Sequence, residues 1–362
     1  MHALTRRGLL LGSAAALGAC AAGEVESYES AVQRLWRVGP LQGLEGAALS
    51  RELVRCATLA PSSHNTQCWR FTLEPNAITI LPDFTRRCPV VDPDDHHLFV
   101  SLGCAAENLV QAALAYGLKG DASFDAARDA VRIALSPVAS QATPLFKAIA
   151  TRQCTRGDYD GRPLAADELR RLEAAGTTER VRVMMLTDRA ALDKVLGFVV
   201  EGNTAQVHDK AFVQELRTWL RFNAADAVRL GDGLYSASSG NPTGPAWIGG
   251  LLFNLFFTAQ SENDKYARQL RSSAGVAVFV AARDDKAHWV EVGRAYERFA
   301  LQAEALDVRH AHLNMPVEVA AIRPRFASAL GLTGQRPDLV IRFGRGPRLP
   351  PSLRRPVQAV LA

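Results

Sequence analysis

Val100-Ser101-Leu102-Gly103-Cys104-Ala105-Ala106-Glu107-Asn108-Leu109, continued to Leu118, can be laid without a gap on a second segment of the chain. That segment is Val290-Glu291-Val292-Gly293-Arg294-Ala295-Tyr296-Glu297-Arg298-Phe299, continued to Val308. Identities fall at Val100/Val290, Gly103/Gly293, Ala105/Ala295, Glu107/Glu297, Ala113/Ala303 and Ala115/Ala305, six of nineteen positions. Two helical stretches share alanines by chance, but the common Gly-x-Ala-x-Glu sets a small residue and an acid at fixed spacing. Recurrence of this kind is how a duplicated structural unit shows itself in sequence. Small and apolar residues fall on one side of the first copy, which predicts a helix from about Phe99 to Leu118 with Gly117 as its stop.

The flanks supply strands. Leu44 to Leu59 has helical spacing and ends in the turn formers Ala60 to Asn65. Cys68 to Leu73 and Ala77 to Leu81 read as two strands joined by Glu74-Pro75-Asn76, and Ala130 to Leu135 reads as a third. The pattern restarts with a helix from Pro144, a helix start near residues 162–169 and a closing strand, Leu339 to Phe343. The apolar block Ala246 to Ala259 is too short for a membrane span; a buried or interface helix is expected there, with a flap near 236–260 as the alternative.

The chain has 362 residues, 48% of them hydrophobic and 22% charged. This is a globular balance. It excludes a disordered chain, a collagen-like repeat and a polytopic membrane protein, and the length suits about two domains. The formal charge of +5, from 42 Lys and Arg against 37 Asp and Glu, is spread rather than striped, so no nucleic-acid partner is expected. Thr5-Arg6-Arg7-Gly8-Leu9-Leu10 and the short apolar run to Ala19 read as a twin-arginine export signal over residues 1–19. Leu17-Gly18-Ala19-Cys20 reads as a lipobox with Cys20 as a lipidated mature N-terminus, simple cleavage at the same small residues being the alternative. Loss of Arg6 and Arg7 would leave 40 bases against 37 acids, or +3. Of six cysteines none forms C-x-x-C, so neither a zinc ribbon nor a thioredoxin-type site is expected. The five beyond Cys20 are expected as free thiols.

Ala60-Pro61-Ser62-Ser63-His64-Asn65-Thr66-Gln67-Cys68-Trp69 is the densest polar constellation. Its hydroxyls, amides and backbone N–H groups suit a flat heterocycle with alternating donors and acceptors; a helix-capping turn would have the same composition. Pro-Ser-x-x-Asn-x-Gln followed by Pro-Trp resembles a signature of the flavin-dependent nitroreductase superfamily, with Cys68 here in place of the proline. Asp83-x-x-Arg86, Pro89, Asp92-Pro93 and Ser101-x-Gly103-x-Ala105-x-x-Asn108-Leu109 are similar to that family as well. They are similar in particular to its fused two-copy branch of Acg-family FMN-binding oxidoreductases. Thr151-Arg152-Gln153-Cys154-Thr155-Arg156-Gly157-Asp158-Tyr159 resembles the family's Arg-Arg-Ser-x-Arg-x-Phe segment, with Cys154 where serine is usual, and Ser352-Leu353-Arg354-Arg355-Pro356-Val357 resembles that branch's ending.

The resemblance covers roughly residues 45 to 362. It implies an α+β nitroreductase-like fold, internally duplicated as a pseudo-dimer, with helices flanking a mostly antiparallel sheet. The expected boundaries are a tether over 20–43, a first half over 44–143 and a second over 144–362. FMN is the implied cofactor. Pro61, Ser62, Ser63, Asn65 and Gln67 would address its ring or ribityl chain, and Arg152, Arg156, Arg354 and Arg355 its phosphate, for which arginine is the suited donor. The loop lies in the first copy and the arginines in the second, so a single composite site is expected between the halves. The implied function is an exported FMN-binding oxidoreductase passing hydride or electrons to a nitro, quinone or similar small acceptor. A flavin-sequestering lipoprotein without catalysis is the alternative. Neither a catalytic side chain nor a metal is expected, and the electron donor is unidentified. The chain would be a monomeric pseudo-dimer in the periplasm, touching the membrane through Cys20 alone. Asp92, Asp94, Asp95, His96 and His97 have metal-ligand composition but read as a helix cap, and His310-x-His312 is equally unspecific. No Walker loop or G-x-G-x-x-G fingerprint is present, so a Rossmann-type NAD site is not expected.

Overall fold

The computed structural model describes residues 26–362; the expected export signal over 1–19 and the expected lipidation site Cys20 lie outside the described residues. The two repeated segments form helices of equal length, His96–Ala115 and Lys286–Ala305, each begun after an aspartate, Asp95 or Asp285. Each ends at a left-handed residue at the same place in the repeat, Gly117 (φ 78°) and Asp307 (φ 57°). The helices cross at their shared glycines. A Cβ on Gly103 would stand 2.0 Å from the Val290 carbonyl oxygen, and one on Gly293 would stand 1.9 Å from that of Val100. Only glycine allows backbones this close. The contact is reciprocal between equivalent residues, as a twofold relation between the copies requires.

The strands repeat too. The first copy has β1 (Trp69–Glu74), β2 (Ala77–Pro82), β3 (Leu118–Asp125) and β4 (Ala130–Pro137), in the sheet order β1-β2-β4-β3. The second has β5 (Val181–Leu186), β8 (Gly275–Ala281), β9 (Arg309–His312) and β10 (Pro337–Gly344), ordered β5-β8-β10-β9. Both sheets are antiparallel throughout, and in each the central helix joins the second strand to the third. The copies differ at one connection. β1 and β2 are joined by a tight turn, whereas β5 and β8 are separated by a long insertion. The insertion includes the helices Arg189–His208, Ala246–Phe256 and Ala259–Arg271 and the small parallel pair β6 (Leu220–Arg221) and β7 (Leu234–Tyr235).

The α+β antiparallel expectation therefore holds, distributed over two sheets with the central helix pair between them. One core contains Phe71, Ile80 and Ile133 from the first sheet, Phe279, Ile341 and Phe343 from the second, and Phe99, Leu102, Tyr296 and Phe299 from the helices. The second sheet is covered on its other face as well. Val276, Val278 and Val280 alternate with the inward residues and pack on Leu192, Val195 and Val199, which explains the unbroken apolar sequence of β8. The outer face of the first sheet meets solvent. The C-terminal tail closes the edge of β1: Phe71 N–H donates to the Val360 carbonyl (2.8 Å), and Ala362 N–H to that of Phe71 (2.9 Å).

Candidate flavin site

Three segments remote in sequence meet at the junction of the halves: the 58–67 turn, the 152–156 segment and the 352–355 tail. The helix Gly46–Thr58 ends here, and the last carbonyls of a helix have no partner within it. Arg354 supplies one. Its Nε donates to the Thr58 carbonyl (2.8 Å) and its Nη2 to those of Leu59 (3.1 Å) and Ala60 (3.2 Å). Arg152 Nη2 donates to Leu59 as well (3.0 Å), and its Nε faces Glu297 Oε1 at 3.3 Å. Both arginines are buried. Burial first, and the neighbouring Arg152 next, push the Arg354 guanidinium down to about 9.

The turn itself is strained. His64, Asn65 and Gln67 have φ of 47°, 54° and 54°, a region where non-glycine residues are uncommon. Their side chains and neighbours hold them there. Asn65 Nδ2 donates to the carbonyls of Gly233 (2.9 Å) and Leu353 (3.1 Å). Gln67 Nε2 donates to that of Gly231 (2.8 Å), while Gln67 Oε1 accepts from Arg355 N–H (2.8 Å). Ser62 Oγ accepts from Gln67 N–H (2.9 Å). Arg86, from the similar Asp83-x-x-Arg86 segment, donates to the Thr66 carbonyl and pairs with Asp232, which also pairs with Arg221.

The nine expected residues thus separate by position. Asn65, Gln67, Arg152 and Arg354 are buried and bonded inward, so they build the site's wall. Pro61, Ser62, Ser63 and Arg156 are partly exposed on it. Arg355 is not brought together with the other arginines: its Nη2 donates to the Ala359 carbonyl (2.6 Å). Arg156 lies close enough to His64 to depress that imidazole, which burial first and Arg156 next push down to about 4.

Sequence reasoning missed Arg342, fully buried on β10, whose Nη2 donates to the carbonyls of Thr155 (3.3 Å) and Gly157 (2.6 Å). Arg342 and Arg354 therefore join Arg152 and Arg156 at the 152–157 segment. Among the described residues only Arg152 of the four has a carboxylate partner, Glu297. Unpaired buried positive charge calls for an anion, and a phosphate dianion suits arginine donors. Around the same segment Thr155 Oγ1, His310 Nε2 and Asn65 Oδ1 are buried without a hydrogen-bond partner. The residues present fit a phosphate-bearing cofactor. Glu297 was legible as a repeat identity, but its ion pair was not.

Two other sequence candidates resolve differently. Asp92 Oδ1 accepts from His97 N–H (3.0 Å) and Oδ2 from Leu98 N–H (2.9 Å), so it caps the first central helix. His96 Nε2 pairs with Asp338 (2.8 Å) while its Nδ1 is buried without a partner, and, against the expectation that adjacent histidines point apart, ligand atoms of Asp92, His96 and His97 lie within 4.8 Å of one another. His310 and His312 converge on Cys154 and Tyr296.

No family model matches the chain. It is 27% identical over 327 residues to two Mycobacterium tuberculosis proteins, of strains CDC 1551 and H37Rv, each named "Putative NAD(P)H nitroreductase". The similarity covers 86% of this chain and 90% of each relative. Among solved structures, an FMN-dependent nitroreductase of Mycobacterium smegmatis in complex with NADPH is 13% identical, with a TM-score of 0.37 over 56% of this chain and 87% of that one. A "putative nitroreductase" of Anabaena variabilis is 10% identical, with a TM-score of 0.47 over 85% of this chain and 90% of that one. Sequence similarity thus runs through nearly the whole of both mycobacterial relatives, and the chain is similar over most of its length to proteins named as nitroreductases.

Proposed function

We propose that the chain is an FMN-dependent oxidoreductase with one flavin site, built where the first copy's 61–67 turn meets the second copy's arginines. The observation that carries this reading is the cluster of Arg152, Arg156, Arg342 and Arg354, with one carboxylate partner among the described residues. Arg156, whose guanidinium makes no hydrogen bond or ion pair among those residues, would grip the phosphate, while Arg152, Arg342 and Arg354 would supply the field from behind. Ser62 and Ser63 would face the ribityl chain or ring. When bound, FMN supplies two-electron hydride chemistry at its N5. The protein's part is to bind, orient and keep the ring from bulk water, and no side-chain acid or base is required of it.

The mycobacterial relatives are named for NAD(P)H. If residues 1–19 export this chain and Cys20 carries lipid, it leaves the cytoplasmic nicotinamide pool, and a quinone, thiol or protein would reduce the flavin instead. The twin-arginine route, which carries folded proteins, would allow FMN to load first. Anaerobic bleaching of the purified protein by NADPH, and reoxidation by a nitroaromatic or a quinone, tests the enzyme reading. Bleaching by dithionite alone, with no turnover from any donor, would favour flavin storage. Arg156→Ala should weaken FMN binding at least about tenfold while leaving the unfolding midpoint in place; unchanged binding would remove Arg156 from the site.

A further inference from the structure

Cys154 stands where the resembling family has serine, and its surroundings are not those of an inert thiol. Cys56, Cys68, Cys88 and Cys104 are buried, whereas Cys154 is partly exposed. Its Sγ lies 3.6 Å from Tyr296 Oη, 3.7 Å from His312 Nδ1 and 3.9 Å from Arg152 Nη1. Tyr296 Oη in turn lies 3.2 Å from His310 Nδ1, and His310, joined to Cys154 by a strand bridge, keeps its buried Nε2 without a partner. Three elements thus aim hydrogen-bond donors or positive charge at one sulfur: β9, the second central helix and the arginine segment. Glu297 is the carboxylate in the group, already facing Arg152 at 3.3 Å, and Arg354 adds positive charge from the tail.

We propose that Cys154 is a peroxide-sensitive thiolate that switches the phosphate end of the flavin site, a reading that rests on the flavin site proposed above. Burial opposes ionisation of this thiol, but His312 first and then His310 outweigh it and hold the group well below the ordinary thiol range. Burial does the reverse for Cys56 and Cys68, pushing them up to about 11 and about 12. Thiolates are the nucleophilic form of cysteine and the first to oxidise. In the step proposed, the thiolate sulfur attacks one oxygen of hydrogen peroxide. The S–O bond forms, the O–O bond breaks, sulfur loses two electrons, and hydroxide leaves to be protonated by solvent. The sulfenic acid, or the sulfinate it forms on further oxidation by peroxide, then adds oxygen bulk beside Arg152, at the phosphate end of the proposed site, and changes the hydrogen bonding there without adding to the charge the thiolate already carries.

The test uses the full chain as purified with its flavin, and the same chain stripped of it. Iodoacetamide labelling between pH 6 and 8, read by peptide mass spectrometry, should modify Cys154 at least about tenfold faster than the four buried cysteines. Its rate should stay nearly level across that range, where an ordinary thiol slows about tenfold per pH unit. Bound FMN should slow it. Peroxide should place a dimedone-trappable sulfenic acid at Cys154 and weaken FMN binding at least about tenfold, while Cys154→Ser should keep FMN and lose the peroxide response. His312→Asn should restore the ordinary pH dependence of labelling. Labelling no faster than at Cys56 or Cys104, a tenfold loss of rate per pH unit, or an oxidised chain that holds FMN as tightly as before would each overturn the proposal. A native chain that binds no FMN would refute the flavin reading, and with it the switch, while the labelling would still report the state of the thiol.

Discussion

Gly103→Ala and Gly293→Ala probe the centre of the duplicated fold from opposite sides. The new methyl carbons would lie 2.0 Å from the Val290 carbonyl oxygen and 1.9 Å from that of Val100. A relaxed carbon–oxygen contact is about 3.3 Å, so the two helices must part by roughly 1.3 Å. Backbone opposes the methyl in each case, and no rotamer change can relieve it. A radial gap of 0.5–1 Å already forfeits roughly a quarter to a half of each dispersion contact along the crossing. Overpacking of this kind costs about 3 kcal/mol, against a gain of about 1 kcal/mol from helix propensity, so each single variant should lose about 2 kcal/mol. One displacement accommodates both methyls, and the double variant should therefore lose less than the two singles together, by on the order of 1 kcal/mol. Urea unfolding at fixed pH measures all three. Gly197→Ala is the control: that glycine lies on the exposed face of the helix Arg189–His208 with nothing within 4 Å of an added Cβ, and it should gain about 0.5–1 kcal/mol. A gain at Gly103 like that at Gly197, or full additivity of the two losses, would refute the reciprocal crossing.

Arg354→Ala removes the donors to the Thr58, Leu59 and Ala60 carbonyls and should cost about 3 kcal/mol in urea unfolding, with Arg354→Lys failing to restore it because lysine lacks the planar fork. Asp338, buried against His96 and accepting from Ala281 N–H (2.7 Å), is pushed up to about 7, chiefly by burial. Its folded value lies above its unfolded one, so unfolding releases a proton and stability from this group falls as pH rises from about 4 to about 7, by up to ~4 kcal/mol. Asp338→Asn imitates the neutral acid and should flatten that slope; an unchanged slope would show that Asp338 ionises freely. Leu255 is 60% exposed on the helix Ala246–Phe256, and Leu255→Glu should leave stability within about 0.5 kcal/mol; a loss of 2 kcal/mol or more would mean that the helix is covered.

The repeat was the most legible part of the fold, because a helix crossing through glycine needs the same small residue in both copies. β1, β2, β4 and β10 were legible from turn signals and apolar runs. β3 was not, because Leu118 to Asp125 interleaves Lys119, Asp121 and Ser123 with the small Gly120 and Ala122 on a sheet that faces solvent. Of the two expectations for the helix Ala246–Phe256, burial within the chain does not hold, because Trp247, Leu251, Leu255 and Phe256 are exposed; apolar composition gives the kind of element and not what covers it. In the site, the residue types were legible and their directions were not. Asn65 and Gln67 suit a ligand by composition but bond to Gly231, Gly233 and Leu353, partners more than 160 residues away. Adjacent Arg354 and Arg355 read alike in sequence, and the backbone sends them to opposite sides of the tail.

The stoichiometry of the released cofactor tests the central claim most directly. The account predicts one FMN per chain, because only the first copy has the 61–67 turn and only the second has Arg152, Arg156 and Arg354. Two FMN per chain, or none after saturation with free FMN, would contradict it.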